Sequence, residues 1–317
     1  MSAESNDRVH QADAPVSLAT AALREIIGSR WAHGVQTGQT SASATASASA
    51  SASASATATV TAIVLGSGLG ALADKIESPI AIPFSQIPGF ARSTASGHRG
   101  QLIFGTLGGA PLIAMAGRLH RYEGWSNAQV AFPIQVMQAL GASRFIASNA
   151  AGGVNPKLKV GDILVIRDHI DWLYQRSRLP AISPNAAQTN TADPSDRPPI
   201  RCGRVYDAEL SCMALAAARE GGFTAIEGTY LATLGPTYET RAEYRMMRRM
   251  GADVVGMSTV PEVLAAIQAG MVVLALSIVS NVADPDRAIV ADHAEVLQAG
   301  DAAAAKLEQI IRRVIIG

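Results

Sequence analysis

From Thr61 onward, short apolar stretches of strand length alternate with stretches of helical period. "TAIVL", "RFIASNA", "GDILVIRDHI", "GTYLATLG", "ADVVGMS" and "MVVLALSIVS" read as strands, and "QLIFGTL" with "PLIAMAG" as a strand pair. Between them, "NAQVAFPIQVMQALG" reads as a helix carrying a proline. Further helices are predicted from Asp207, from Glu239, near Glu262 and, as a long closing helix, from His293. Such alternation means an α/β sheet covered by helices, with ligands gathered at the carboxyl ends of the strands.

Upstream of Thr61 the text differs. Pro15 followed by Leu18, Ala22 and Ile26 at i, i+4 spacing, with Gly28 as a stop, predicts a short amphipathic helix. The near-strict Ser/Ala alternation of residues 40–59 has the period of a strand. Its apolar members are all alanine, too little area to offset chain entropy, so it reads as a disordered linker. The chain therefore divides into an N-terminal segment (1–39), the linker (40–59) and one α/β unit (60–317). Residues 173–206 are polar, hold five prolines and fit no period, so a long loop is expected there, of the kind that is usually functional or mobile.

Charge narrows the partners. Lys+Arg and Asp+Glu both number 26, so the formal net charge is zero and no broad basic face awaits a nucleic acid. The longest apolar run, "AGMVVLALSIV", is too short to span a bilayer, and "MSAESNDRVHQADAP" lacks a signal peptide's regions. Cys202 and Cys212 are too few for a disulfide framework or a cysteine-rich zinc site. The expectation is a cytoplasmic protein with no membrane partner and no metal.

Several strands end in loops that could hold an anion or a ring. Gly66-Ser67-Gly68 offers backbone N–H groups and a hydroxyl ahead of a helix, a good phosphate cradle. Gly66-x-Gly68-x-x-Ala71 also matches a dinucleotide fingerprint, but "IAIPFSQIPGFARS" carries no acid where the ribose partner should lie. In "GRLHRYEG", Arg118 and His120 would point to one side of a continuing strand, a suitable pair for a phosphate dianion. The alternative there is a solvated charge cluster. His98 lies in the loop "SGHRG", and "SNAAGGVNP" lets backbone approach a ligand closely. "GPTYETRAE" places Tyr238 to stack and Glu239 to accept, unless Glu239 is merely a helix N-terminal acid. "GMSTVPE" and "SIVSN" end strands in Met257, Ser258 and Asn281.

Taken in order, "GSGLG", "SGHRG", "GRLHRYEG", "SNAAGGVNP", "VGDILVIRDHI", "EGTYLATLGPTYET", "GADVVGMSTVPE" and "HAEVL" strongly resemble the trimeric purine nucleoside phosphorylases, inosine/guanosine type, over roughly residues 60–310. The resemblance implies a single domain with a central mixed β-sheet flanked by helices. It implies reversible phosphorolysis of purine nucleosides to free base and ribose 1-phosphate, with phosphate as co-substrate and no cofactor. By the same resemblance Ser67, His98, Arg118, His120, Ser258 and the backbone N–H of Ala150 form the phosphate site. Tyr122, Met257 and His293 surround the ribose. Tyr238, Glu239 and Asn281 meet the purine, and His120, Asn281 and Glu239 carry the catalysis. A homotrimer is implied as well.

Glu239 calls for a base with N1–H, and relatives acting on 6-aminopurines typically carry aspartate at the position of Asn281, so inosine and guanosine are expected over adenosine. After "RDHI" the pattern departs: Asp171-Trp172-Leu173-Tyr174 stands where the family has Asn and a Gly/Pro-rich loop. Alternatives are a xanthosine-preferring or methylthioadenosine-type phosphorylase, a dinucleotide-dependent oxidoreductase, and a non-catalytic nucleoside-binding protein.

Overall fold

The computed structural model describes residues 4–28, 31, 59–66, 70–91, 99–173, 205–286 and 293–317. The Ser/Ala tract up to residue 58, the loop of residues 174–204, Ser67 and His98 lie outside the described residues, and of His293 only the backbone is described.

Nine strands form one mixed sheet: β1 (Val60–Leu65), β2 (Glu77–Pro83), β3 (Gln101–Leu107), β4 (Ala110–Ala116), β5 (Ala142–Gly153), β6 (Ile163–Asp171), β7 (Ala225–Ala232), β8 (Val254–Gly256) and β9 (Val272–Val282). Their order is β2-β3-β4-β1-β5-β8-β7-β6-β9. Strand β9 also pairs with β5, so β5, β8, β7, β6 and β9 close into a ring. The helices are α1 (Glu4–Ile27), α2 (Gly70–Ala73), α3 (Asn127–Ala139), α4 (Ala208–Glu220), α5 (Arg241–Met250), α6 (Val260–Gln268) and α7 (His293–Ile316).

Continuous apolar strands follow from burial on both faces. In β1, Val60, Ala62 and Val64 face one core while Ile63 and Leu65 face the other; β4 and β9 alternate in the same way. The first core is closed by α1, α3 and α6 through Leu23, Ile134 and Val263, and the second by α4 and α7 through Leu210, Ala214, Leu307 and Ile311.

Two sequence readings shift. Helix α1 begins upstream of Pro15, and its buried face is Ala19, Leu23 and Ile27 rather than Leu18, Ala22 and Ile26. Leu18 and Ile26 are exposed, because α1 meets the body along the neighbouring stripe. Strand β2 was not anticipated, since "ESPIAIP" holds two prolines and is largely exposed. It pairs on one side only, with β3, where an edge tolerates proline.

Strands β4, β1, β5 and β9 run parallel, so the segments following β4 lie beside the last residues of β5 and β9. The ring closure brings the segments after β7 and β8 to the same place. A pocket opens there.

Candidate active site

The pocket, of about 110 Å³, is lined by residues from five strand ends. It gathers Arg118, His120, Tyr122, Ala150, Tyr238, Glu239, Met257, Ser258 and Asn281, nine of the residues picked out from the sequence.

Arg118 and His120 are not placed by strand alternation. β4 ends at Ala116, Gly117 adopts a φ of 115°, and a 3-10 turn follows at Arg121–Glu123. Arg118 is nonetheless only 2% exposed and His120 only 8%, which rules out a solvated charge cluster. The Arg118 fork does not face an empty pocket with both edges. Its Nε and Nη2 donate to Glu262 Oε1 and Oε2 at 3.2 and 2.8 Å, while Nη1 donates to the Ser148 carbonyl and to Ser258 Oγ, each at 3.0 Å. Glu262 is 1% exposed; burial pushes its carboxyl upward and the Arg118 guanidinium pulls it back. Its sequence signal was slight: an acid behind a proline at a helix start.

His120 is oriented by Glu123, three residues on, which accepts from its backbone N–H at 2.8 Å and contacts its Nδ1 at 2.9 Å. The imidazole stacks on Tyr122, with ring centres 4.7 Å apart. Gly66, first glycine of the supposed dinucleotide fingerprint, has a different reason to be glycine. A Cβ there would lie 2.6 Å from the Ser148 carbonyl oxygen and 3.2 Å from Arg118 Nη1.

Ser258 sits in a strained turn. Thr259 has φ 75° and ψ −53°, and Val260 N donates to the Ser258 carbonyl at 2.8 Å, a γ-turn of the rare left-handed kind. Tyr230, wholly buried, brackets Ser258 by donating to its carbonyl (3.2 Å) and accepting from its N–H (3.3 Å). Such strain persists only where surroundings over-determine it, and it gathers at functional sites.

At the other side of the pocket, Glu239 is not the first acid of a helix. Thr240 caps α5 and Glu243 completes the capping box. The Glu239 carboxylate instead accepts from Thr233 Oγ1 at 3.0 Å and Tyr244 Oη at 3.2 Å. Burial, then the Glu239 charge, pushes the Tyr244 hydroxyl upward, so it stays a proton donor. The Ser280 hydroxyl contacts Asn281 Oδ1 at 2.9 Å and the Ala151 carbonyl at 3.2 Å. A Cβ at Gly152 would stand 3.5 and 3.6 Å from the two amide atoms of Asn281. Tyr238 is 44% exposed, at the rim.

Glu123, Asn149, Thr233, Tyr244, Thr259 and Glu262 were thus missed by motif reading, since each acts on another side chain, either across the fold or a few residues away. Among the described residues no three His, Cys, Asp or Glu side chains group as metal ligands, and no helix is long and apolar enough to cross a membrane.

A mixed sheet, five of whose strands close into a ring, with a buried arginine, a hydroxyl and a carboxylate–amide pair gathered in one pocket, has the architecture of an α/β enzyme. Residues 60–316 match the family described as the phosphorylase superfamily, and the chain belongs to it. It is 43% identical over 252 residues to purine nucleoside phosphorylase 1 of Bacillus subtilis, covering 80% of this chain and 90% of that one. It is 42% identical to the purine nucleoside phosphorylase of Rattus norvegicus, covering 78% and 85%. The solved Schistosoma mansoni purine nucleoside phosphorylase in complex with inosine superposes with a TM-score of 0.67 at 38% identity, over 81% of this chain and 89% of that one.

Proposed function

We propose that the chain catalyses reversible phosphorolysis of purine ribo- and 2′-deoxyribonucleosides, preferring the 6-oxopurines, within purine salvage in the cytoplasm. Inorganic phosphate is the co-substrate, no cofactor takes part, and the working form is a homotrimer. The observation that carries the reading is one small pocket holding cationic and hydroxyl donors on one side and a carboxylate–amide pair on the other.

His120, Ser258 and the Ala150 N–H hold the phosphate beside the positive charge of Arg118, joined by Ser67 and His98. The oxocarbenium-like sugar forms between that phosphate and the base, against Tyr122, Met257 and His293. Holding the nucleophile beneath the sugar is a positioning effect of several kcal/mol. The departing base gathers negative charge, which the Asn281 amide stabilises as it develops. With the Ser280 proton on the nearer of its two acceptors, the Asn281 amide oxygen, Nδ2 is the donor to the acceptor atoms O6 and N7 of a 6-oxopurine. Glu239, its two oxygens oriented by Thr233 and Tyr244, accepts from N1–H. Adenine opposes both partners: it has an N–H donor at position 6 and a bare acceptor at N1.

Incubation with inosine, with and without phosphate, tests this. Hypoxanthine and ribose 1-phosphate should appear only with phosphate. Release that ignores phosphate would mean a hydrolase, and no release a binding protein.

A further inference from the structure

The hydrogen-bond donors around Ser258 can be counted through. Arg118 Nη1 donates to Ser258 Oγ at 3.0 Å, and Asn149 Nδ2 donates to Thr259 Oγ1 at 2.8 Å. Neither a guanidinium nor an amide NH2 can accept. Thr259 Oγ1 therefore accepts from Asn149, and it lies 3.2 Å from Ser258 Oγ in a contact where either hydroxyl can donate. With Thr259 as the donor, Ser258 Oγ accepts from both Thr259 and Arg118, which fills both lone pairs. In that arrangement the Ser258 proton turns away from Thr259 and Arg118, toward the pocket that Ser258 lines.

We infer that Asn149 and Thr259 form a directional relay that turns the Ser258 hydroxyl proton onto the phosphate, making Thr259 a positioning residue for the co-substrate. The relay rests on the phosphorolysis reading above. Both members are sealed from water, at 2% exposure for Asn149 and 1% for Thr259. Turning the Asn149 amide round would put its NH2 where Oδ1 now lies, a buried position with no hydrogen-bond partner among the described residues. The left-handed γ-turn acquires a reason here: it sets the Thr259 hydroxyl between Asn149 and Ser258. A β-branched residue adopts such a φ rarely and at a cost in strain.

The test is a double-mutant cycle on phosphate. Thr259→Val keeps shape and branching but removes the hydroxyl, and should raise the KM for phosphate about five- to tenfold with the KM for inosine unchanged. Thr259→Ser should restore it. In a Ser258→Ala background, Thr259→Val should add nothing further, because the relay then has no proton to direct. Phosphate affinity by calorimetry, without nucleoside, should follow the same pattern. An unchanged phosphate KM in Thr259→Val, or full additivity with Ser258→Ala, overturns the relay. Wild-type enzyme that releases base without phosphate overturns the reading beneath it instead.

Discussion

Replacing Arg118 by alanine reads at first as a loss of anion binding, yet the structure gives it a larger effect on stability. Glu262 is fully buried, and Arg118 supplies the hydrogen bonds that its two carboxylate oxygens accept from a side chain. Breaking a buried pair from one side typically costs about 3–5 kcal/mol. A stranded Glu262 escapes part of that by taking a proton. From its ordinary value of 4.5, neutralisation at pH 7 costs about 3.4 kcal/mol, at about 1.36 kcal/mol per pH unit. The sign follows from linkage: the folded pKa is raised, so the unfolded chain releases the proton first and stability falls as pH rises above 4.5. Adding Glu262→Gln to Arg118→Ala removes the cost. The rescue should be about 3.4 kcal/mol at pH 7 and only about 0.7 kcal/mol at pH 5. Urea unfolding of the single and double variants at both pH values, followed by tryptophan fluorescence, measures it. A rescue of equal size at the two pH values, or none at all, would refute the assignment of Glu262 as a charge held by Arg118.

Other outcomes follow from the same geometry. Asn281→Asp should raise kcat/KM for adenosine relative to inosine, since a carboxyl there can accept from the 6-amino group; an unchanged ratio would remove Asn281 from base selection. Tyr244→Phe deletes one of two donors to Glu239, worth about 1 kcal/mol. It should lower nucleoside kcat/KM about fivefold with the phosphate KM unchanged, and a phosphate effect would show the loss is general. Gly66→Ala drives a Cβ to within 2.6 Å of the Ser148 carbonyl oxygen. It should cost about 1–3 kcal/mol, read as a lowered Tm, and weaken phosphate binding through the displaced Arg118; a variant as stable as wild type would mean the strand end yields easily.

Much of this protein was legible because local rules and the tertiary answer agree. The apolar runs at Thr61–Leu65 and Met271–Ser280 are strands whose two faces meet separate cores, and the proline-bearing helix of α3 and the Asp207 cap of α4 stand where their signals put them. Nine of the residues that line the pocket were legible too, because they stand in strand-end loops whose ordered motifs carry the family resemblance. Where the local signal was equivocal, reading failed: α1 turns a different stripe inward, and β2 forms although prolines argue against it.

By itself the sequence determined the sheet-and-helix alternation, the strand-end loops and the chemical types available in them. These depend on hydrophobic period and on residues adjacent in the chain, over which a local pattern has force. Only the tertiary structure decided what those groups do to one another. Arg118 meets Glu262 across 144 residues and Asn149 meets Thr259 across 110. Such pairings come from closure of the sheet into a ring and from one strained turn, and burial makes them obligatory: a polar group sealed from water must find its partner wherever the fold brings one.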